Sequence, residues 1–301
     1  RIAGRPRFSP GIAITTRRYK NTDINVSMIR EGTVAQHKSI FITGAASGIG
    51  RAVAQLFGGR GWFVGLADVN EAGMRETAAG IPAGASSVHP LDVRDRAAWD
   101  DALSAFAAAA GGRIDVVFNN AGIPLGGQLI DNNVAEIERC LDINLKGVLF
   151  GAQAAHPWLK ASAPGSCLLN TASAAGIYGT PGASVYSATK FGVRAITECL
   201  DAEWAGDRIK VASLMPAFID TPLLDHASNH GDNARIRGRV QDAGLEITPV
   251  GEVAEAAWHA VHGQALHTRV GKTAHRLAFA ARWMPGQLRK QTRTASKPLG
   301  G

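Results

Sequence analysis

The chain has 301 residues, 46% of them hydrophobic and 19% charged, a composition that suits one large α/β domain and excludes a collagen-like, disordered or disulfide-stapled chain. Its net charge of +7 is unevenly placed: residues 1–27 hold six Lys/Arg and one acid, residues 265–301 hold eight and none, and the 18 basic and 24 acidic residues between them sum to −6. A folded body of that sign excludes nucleic-acid binding across a basic face.

Residues 1–27, without a clean hydrophobic period and with Pro6 and Pro10, read as disordered or as an upstream extension ahead of Met28, with a targeting peptide as the rival reading. No run reaches the roughly 18 apolar residues of a membrane span, and no charged-then-apolar leader precedes the first strand. The expectation is an intracellular, cytoplasmic protein. Cys140, Cys167 and Cys199 lack metal-ligand spacing and are expected as buried free thiols. No metal site is expected.

The first predicted strand is Ser39-Ile40-Phe41-Ile42-Thr43, and helical spacing follows from Ile49 to Phe57. Between them lies Gly44-Ala45-Ala46-Ser47-Gly48-Ile49-Gly50. Glycines at a strand-to-helix turn allow a tight reversal and a close backbone approach to a pyrophosphate, while the helix start supplies N–H donors. A second strand, Trp62 to Ala67, ends at Asp68, whose carboxylate can accept from ribose hydroxyls and repel a 2′-phosphate. NAD is therefore expected in preference to NADP. The same aspartate could instead cap the following helix.

The third strand, Ser86 to Pro90, runs into Asp92 and Val93, and Asp92 could cap the helix that starts near Arg94. The fourth, Ile114 to Phe118, runs into Asn119-Asn120-Ala121-Gly122, where amides can brace the strand ends and Gly122 lets the chain lie close to a ligand. A helix predicted from about Asn133 to Ala161 carries Asn144 among apolar residues, a buried amide that needs partners. The fifth strand, Ser166 to Asn170, leads to Ser173. The helix from Ala183 to Ala205 carries Tyr186 and Lys190, which four-residue spacing places on one face, where a cation can draw a phenol towards ionisation. The sixth strand, Lys210 to Leu214, leads to Pro216-Ala217-Phe218-Ile219-Asp220-Thr221. Residues 222–247 read as a flap. Thr248 is expected as N-cap of a helix reaching Gly263, and Arg269 to Gly271 as a last strand.

The turn glycines, Asn144, Ser173 and the Tyr186/Lys190 pair together resemble short-chain dehydrogenase/reductases of the classical type over about residues 38–271. The resemblance implies a Rossmann-like, doubly wound parallel α/β sheet as one catalytic domain, residues 28–271, followed by a basic tail, 272–301. It implies hydride transfer between a nicotinamide and a secondary alcohol or ketone, with Asn144, Ser173, Tyr186 and Lys190 as catalytic residues. Tyr186 would move the proton and Ser173 would hold the substrate oxygen. Lys190 would lower the tyrosine pKa and bind ribose, and Asn144 would bend its helix and connect the lysine to solvent through water. Cofactor contacts are implied at Gly44, Ser47, Gly48, Ile49, Gly50, Asp68, Asp92, Val93, Asn120, Ala121, Gly122, Tyr186, Lys190, Pro216, Phe218, Ile219 and Thr221. Ala217 departs from the glycine usual in the family and adds a methyl group beside the expected nicotinamide.

The flap and Ala174-Ala175-Gly176-Ile177-Tyr178 suggest an apolar substrate pocket. A homodimer or homotetramer through segments 184–205 and 249–262, including Phe191, Ile196 and Trp258, is implied by the family. Two readings of another class stand beside the enzyme: a nucleotide-binding sensor without catalysis, and a peripheral membrane protein. The second draws on residues 272–293, where Leu277, Phe279, Ala280, Ala281, Trp283, Met284 and Leu288 alternate with six basic residues.

Overall fold

A computed structural model of the chain describes residues 37–226 and 235–295. The expectations for residues 1–27 and Met28, for the middle of the flap and for the last residues of the tail lie outside these. Seven strands form one parallel sheet: β1 (Ser39–Thr43), β2 (Phe63–Asp68), β3 (Ser86–Pro90), β4 (Val116–Asn119), β5 (Cys167–Thr171), β6 (Lys210–Pro216) and β7 (His267–Val270), in the spatial order β3-β2-β1-β4-β5-β6-β7. The order reverses between β1 and β4, and in an open α/β sheet the crevice at that reversal is where a ligand binds.

The inner strands β1, β2, β4 and β5 are largely apolar and buried because helices cover both faces of the sheet, whereas the edge strands β3 and β7 are more polar. Ile40 and Ile42 of β1 point into one fully buried layer with Phe57 of α1 (Gly48–Gly59) and Val253 and Ala257 of α8 (Val250–His262). Phe41, between them, joins the opposite layer with Trp99 and Phe106 of α3 (Arg96–Ala109) and with Leu159. Gly65 of β2 makes room there, since a Cβ at that position would lie 2.5 Å from the Phe106 ring.

The remaining helices are α2 (Glu71–Ala79), α4 (Val134–Leu141), α5 (Gly147–Ala161), α6 (Ser184–Glu203), α7 (Ile236–Asp242), α9 (Lys272–Trp283) and α10 (Pro285–Ala295). Between α4 and α5 the chain makes a π turn over Asp142–Lys146, so the long helix expected there is two helices joined at Asn144. Such insertions recur at functional sites, because the extra residue turns a side chain out of helical register.

Several local expectations are corrected. Asn70 caps α2 by accepting from the Gly73 N–H, and Asp95 caps α3 by accepting from Ala97 and Ala98. This leaves Asp68 and Asp92 free of the capping roles open to them in sequence. Pro249, not Thr248, stands at the cap of α8, because Thr248 is held in a short ladder with Phe218 and Asp220. Cys140 and Cys167 are buried and their thiols are pushed up to about 11 and about 12 by desolvation, but Cys199 is exposed on α6. Trp258 is half-buried: its ring lies 5.0 Å from Phe57, and the Arg60 guanidinium sits 4.4 Å over it.

Candidate active site

The ends of β1, β4 and β5 are stitched together by side chains that satisfy the backbone where the ladder stops. Thr43 Oγ1 accepts from the N–H groups of Asn120 (3.0 Å) and Ala121 (3.1 Å) and donates to the Phe118 carbonyl (3.3 Å). Asn120 Nδ2 donates back to the Thr43 carbonyl at 2.9 Å, and Thr171 Oγ1 donates to Asn120 Oδ1 at 3.2 Å. Behind them Asn119 Nδ2 donates to Asn170 Oδ1 (3.0 Å), and Asn170 Nδ2 to Thr197 Oγ1 of α6 (3.1 Å). In a low-dielectric interior such a network fixes geometry, since each member lost strands a buried partner.

Above this platform a cavity of about 510 Å³ opens. On one side the turn after β1 lies close against the chain after β4: Gly44 has φ +68°, and a Cβ there would come within 2.9 Å of Ala121 Cα. Gly50 is packed tighter still, 2.2 Å from the Gly44 carbonyl by the same measure. Ser47 is extended at the start of α1 and makes no side-chain cap, which leaves the helix's first N–H groups open to an anion. Asp68 ends β2 with Oδ2 accepting from the Ala46 N–H (3.1 Å) and Oδ1 from the Asn70 N–H (3.0 Å), so its carboxylate is locked at the rim of the turn. Arg51 turns away, donating to the Ala46 carbonyl (2.6 Å) and pairing with Glu76 (2.8 Å).

On the other side α6 brings Tyr186 and Lys190 to the end of β5. Lys190 is buried, its Nζ donating to the Thr171 carbonyl at 2.9 Å and lying 5.6 Å from the Tyr186 ring centre. Ser173, just past β5, has its Oγ accepting from the Ala175 N–H (3.1 Å) and donating to the Pro216 carbonyl (3.4 Å). Asn144, fully buried in the π turn, grips the backbone of Ile123 from both sides: Oδ1 accepts from its N–H at 2.8 Å and Nδ2 donates to its carbonyl at 2.9 Å. Gly122 is the close approach in this arrangement, because a Cβ there would lie 3.3 Å from Asn144 Oδ1 and 3.6 Å from Lys190 Nζ.

Desolvation dominates the ionisation of the pair. Burial pushes the Tyr186 phenol up to about 12, opposed by a hydrogen bond with Ser173, and pushes Lys190 down to about 8. In the protein alone burial sets the direction for both groups, because it penalises the phenolate of Tyr186 and the ammonium of Lys190 alike. The resting site is a neutral phenol beside a lysine held well below the usual ammonium range.

Of the residues expected at the site, Gly44, Ser47, Gly48, Ile49, Asp68, Asp92, Val93, Asn120, Ala121, Gly122, Ser173, Tyr186, Lys190, Pro216, Ile219 and Thr221 line this one cavity. Gly50, Asn144 and Phe218 are not among its lining residues. Gly50 and Asn144 stand behind it as described, and Phe218 offers its carbonyl to the Thr248 N–H at 2.8 Å. Asp92 lines the cavity while ion-paired to Arg94 (2.5 Å), which holds its carboxyl below the usual range. The turn Ala174–Gly176 is buried and does not line the cavity; the apolar wall comes from Leu125, Ile143, Leu223 and Leu224. Sequence reasoning also missed Thr43, Thr171, Arg139 and His226. A threonine closing a strand just before a glycine turn was a usable signal for Thr43, whereas the others are placed by tertiary packing alone.

The sheet reversal, the open helix start and the buried Tyr/Lys pair in one crevice define a Rossmann-like α/β protein with its candidate site at the strand ends. A family model for short chain dehydrogenase matches residues 38–231, and the chain belongs to that family of oxidoreductases. An oxidoreductase of Staphylococcus aureus (strain N315) is 36% identical over 204 residues, covering 68% of this chain and 87% of that protein. Among solved structures the chain is similar to a 3-ketoacyl-(acyl-carrier-protein) reductase from Brucella melitensis complexed with NADH, with TM-score 0.70 and 28% identity, covering 79% of this chain and 98% of that one. It is also similar to a short chain dehydrogenase/reductase from Burkholderia phymatum in complex with NAD (TM-score 0.73, 25% identity, 85% and 95% covered) and to levodione reductase (TM-score 0.73, 26%, 80% and 98%).

The lysine's shift has a consequence for stability. Its pKa is about 8 folded against the ordinary lysine value of 10.5. Below about 8 both forms carry the proton and the burial cost is full. Between these values only the unfolded chain keeps it, so unfolding takes up a proton and stability rises with pH. The melting temperature of the wild type relative to Lys190→Met is expected to climb across that window; a pH-independent difference would contradict the shift.

Proposed function

We propose that the protein is an NAD-dependent oxidoreductase that interconverts a secondary alcohol and a ketone, with an apolar molecule as substrate. The observation that carries the reading is the convergence of Ser173, Tyr186 and Lys190 on the cavity that the Gly44–Gly50 turn also lines. The donor set suits a nicotinamide dinucleotide: the open start of α1 and Ser47 for the pyrophosphate, Asp68 for the adenosine ribose, and Asp92 with Val93 for the adenine. Pro216, Ile219 and Thr221 are left for the nicotinamide end, beside Ala217. Bound there, the nicotinamide supplies or accepts the hydride.

The chain's own residues do the rest. Ser173 Oγ orients the substrate oxygen next to the Tyr186 hydroxyl. Tyr186 gives its proton to that oxygen in reduction and takes it back in oxidation. Lys190, anchored on the Thr171 carbonyl, holds its ammonium beside the phenol and within reach of the nicotinamide ribose. Asn144 fixes Ile123, and through it the wall between Gly122 and the lysine. Leu125, Leu223 and Leu224 favour an apolar substrate body.

A carboxylate locked at the end of β2 supports NAD over NADP, and so does Arg51, whose guanidinium is spent on Ala46 and Glu76 rather than facing a 2′-phosphate. Purified protein screened with NAD against secondary alcohols, steroids, retinoids and sugars finds the substrate. On that substrate Tyr186→Phe is expected to bind NADH normally by fluorescence and to lose about 10²-fold or more in turnover. Retained turnover would remove Tyr186 from the chemistry.

Asp68→Ser is expected to narrow the NAD:NADP ratio of kcat/KM, since it removes both the ribose acceptor and the repulsion of a phosphate. Equal use of the two cofactors by the wild type would overturn the preference.

A further inference from the structure

The two C-terminal helices present an outward face that the cavity does not use. On α9, Phe279 and Trp283 are one turn apart and 59% and 65% exposed, followed by Met284 at 40%. Arg276 and Arg282 are exposed on the same helix, and the Arg282 guanidinium lies 5.2 Å over the Trp283 ring. The tail's apolar residues divide: Leu288 is buried, whereas Phe279, Trp283 and Met284 are exposed among cations. On α10, Arg289, Lys290 and Arg293 surround a shallow groove of about 240 Å³ with Gly286 and Thr294. Lys272 is the paired member of the set, bound to Glu246 at 3.3 Å.

An outward aromatic face set in cations is costly in water and matches one environment well. Rings settle at the level of lipid headgroups, and guanidinium and ammonium groups meet phosphate there. We propose that α9 and α10 form a docking surface for an anionic lipid bilayer. Charge complementarity supports this occupant: residues 265–301 carry eight basic residues and no acid, while residues 28–264 sum to −6. The tail is thus the part of the described chain that an anionic surface attracts. Docking is peripheral, because among the described residues no helix is long and apolar enough to cross a membrane. It also sets the site near the bilayer, since α9 packs on the Ala174–Gly176 turn that directly follows Ser173.

The test uses the full chain with vesicles of phosphatidylcholine alone or mixed with phosphatidylserine. The chain is expected to pellet with the mixed vesicles at least about tenfold more than with the neutral ones and to be released by about 0.5 M salt. Arg282→Glu with Arg289→Glu, and separately Phe279→Ser with Trp283→Ser, are each expected to lower binding to the mixed vesicles about tenfold or more. All four positions are exposed, and an unchanged melting temperature confirms that each pair folds; if one pair unfolds, the other decides. Equal pelleting with neutral vesicles would overturn the proposal. So would variants that bind like the wild type, or an aromatic pair whose only effect is to dissociate an oligomer in light scattering. RNA binding that survives the aromatic changes, without vesicle binding, would replace lipid by a polyanion and overturn it equally.

Discussion

The hydrogen bond from Lys190 Nζ to the Thr171 carbonyl is the contact on which the rest of the site depends. A lysine that is 4% exposed carries a large desolvation cost, and it is kept there because the carbonyl of Thr171, the last residue of β5, receives it. That one contact fixes the start of α6 on the end of β5, and so sets where Tyr186 stands relative to Ser173. Exchanging Thr171 for another residue would leave the carbonyl in place but remove the hydroxyl that ties Asn120 to β5, so the platform and the anchor are built from the same few residues.

The topology makes such an anchor possible. Because the strand order reverses between β1 and β4, the two halves of the sheet send their connections to opposite faces and leave a crevice whose floor is strand ends. Strand ends are rich in unsatisfied carbonyls and N–H groups. Here Thr43, Asn120 and Thr171 satisfy those needed for stability, while the N–H groups at the head of α1 and the Asp68 carboxylate stay directed at the cavity. Asn144 does the corresponding work from the helical side. By interrupting the helix with a π turn, the chain aims an amide at Ile123 and braces the loop after β4 from behind.

Much of this was legible in the sequence because it is local. The turn Gly44 to Gly50 reads from its flanking strand and helix, and Tyr186 with Lys190 reads from four-residue spacing. The apolar runs of the inner strands announce a sheet covered on both faces. What stayed hidden depends on burial and on contacts distant in sequence. The direction of the Tyr186 shift could not be read from spacing, because it is set by how much water α6 excludes. The packing of Trp258 against Phe57 and beneath Arg60 joins residues about 200 positions apart, which no local pattern reveals. Thr248 has the sequence of a helix cap, but pairing with Phe218 and Asp220 claims its backbone first. The apolar wall at Leu223 and Leu224 could not be told from an ordinary loop, and Phe218, inside a legible motif, turned out to support its neighbours rather than the cavity.

At neutral pH the site rests as a neutral phenol beside a buried lysine that keeps its proton, so Tyr186 is ready to donate and acts as a base only when deprotonated. The most direct measurement is kcat/KM against pH in both directions on one alcohol–ketone pair. Alcohol oxidation should rise from about pH 7 to about pH 9, and ketone reduction should stay level or fall over the same range. Two profiles of the same shape, or an oxidation rate independent of pH, would contradict the claim.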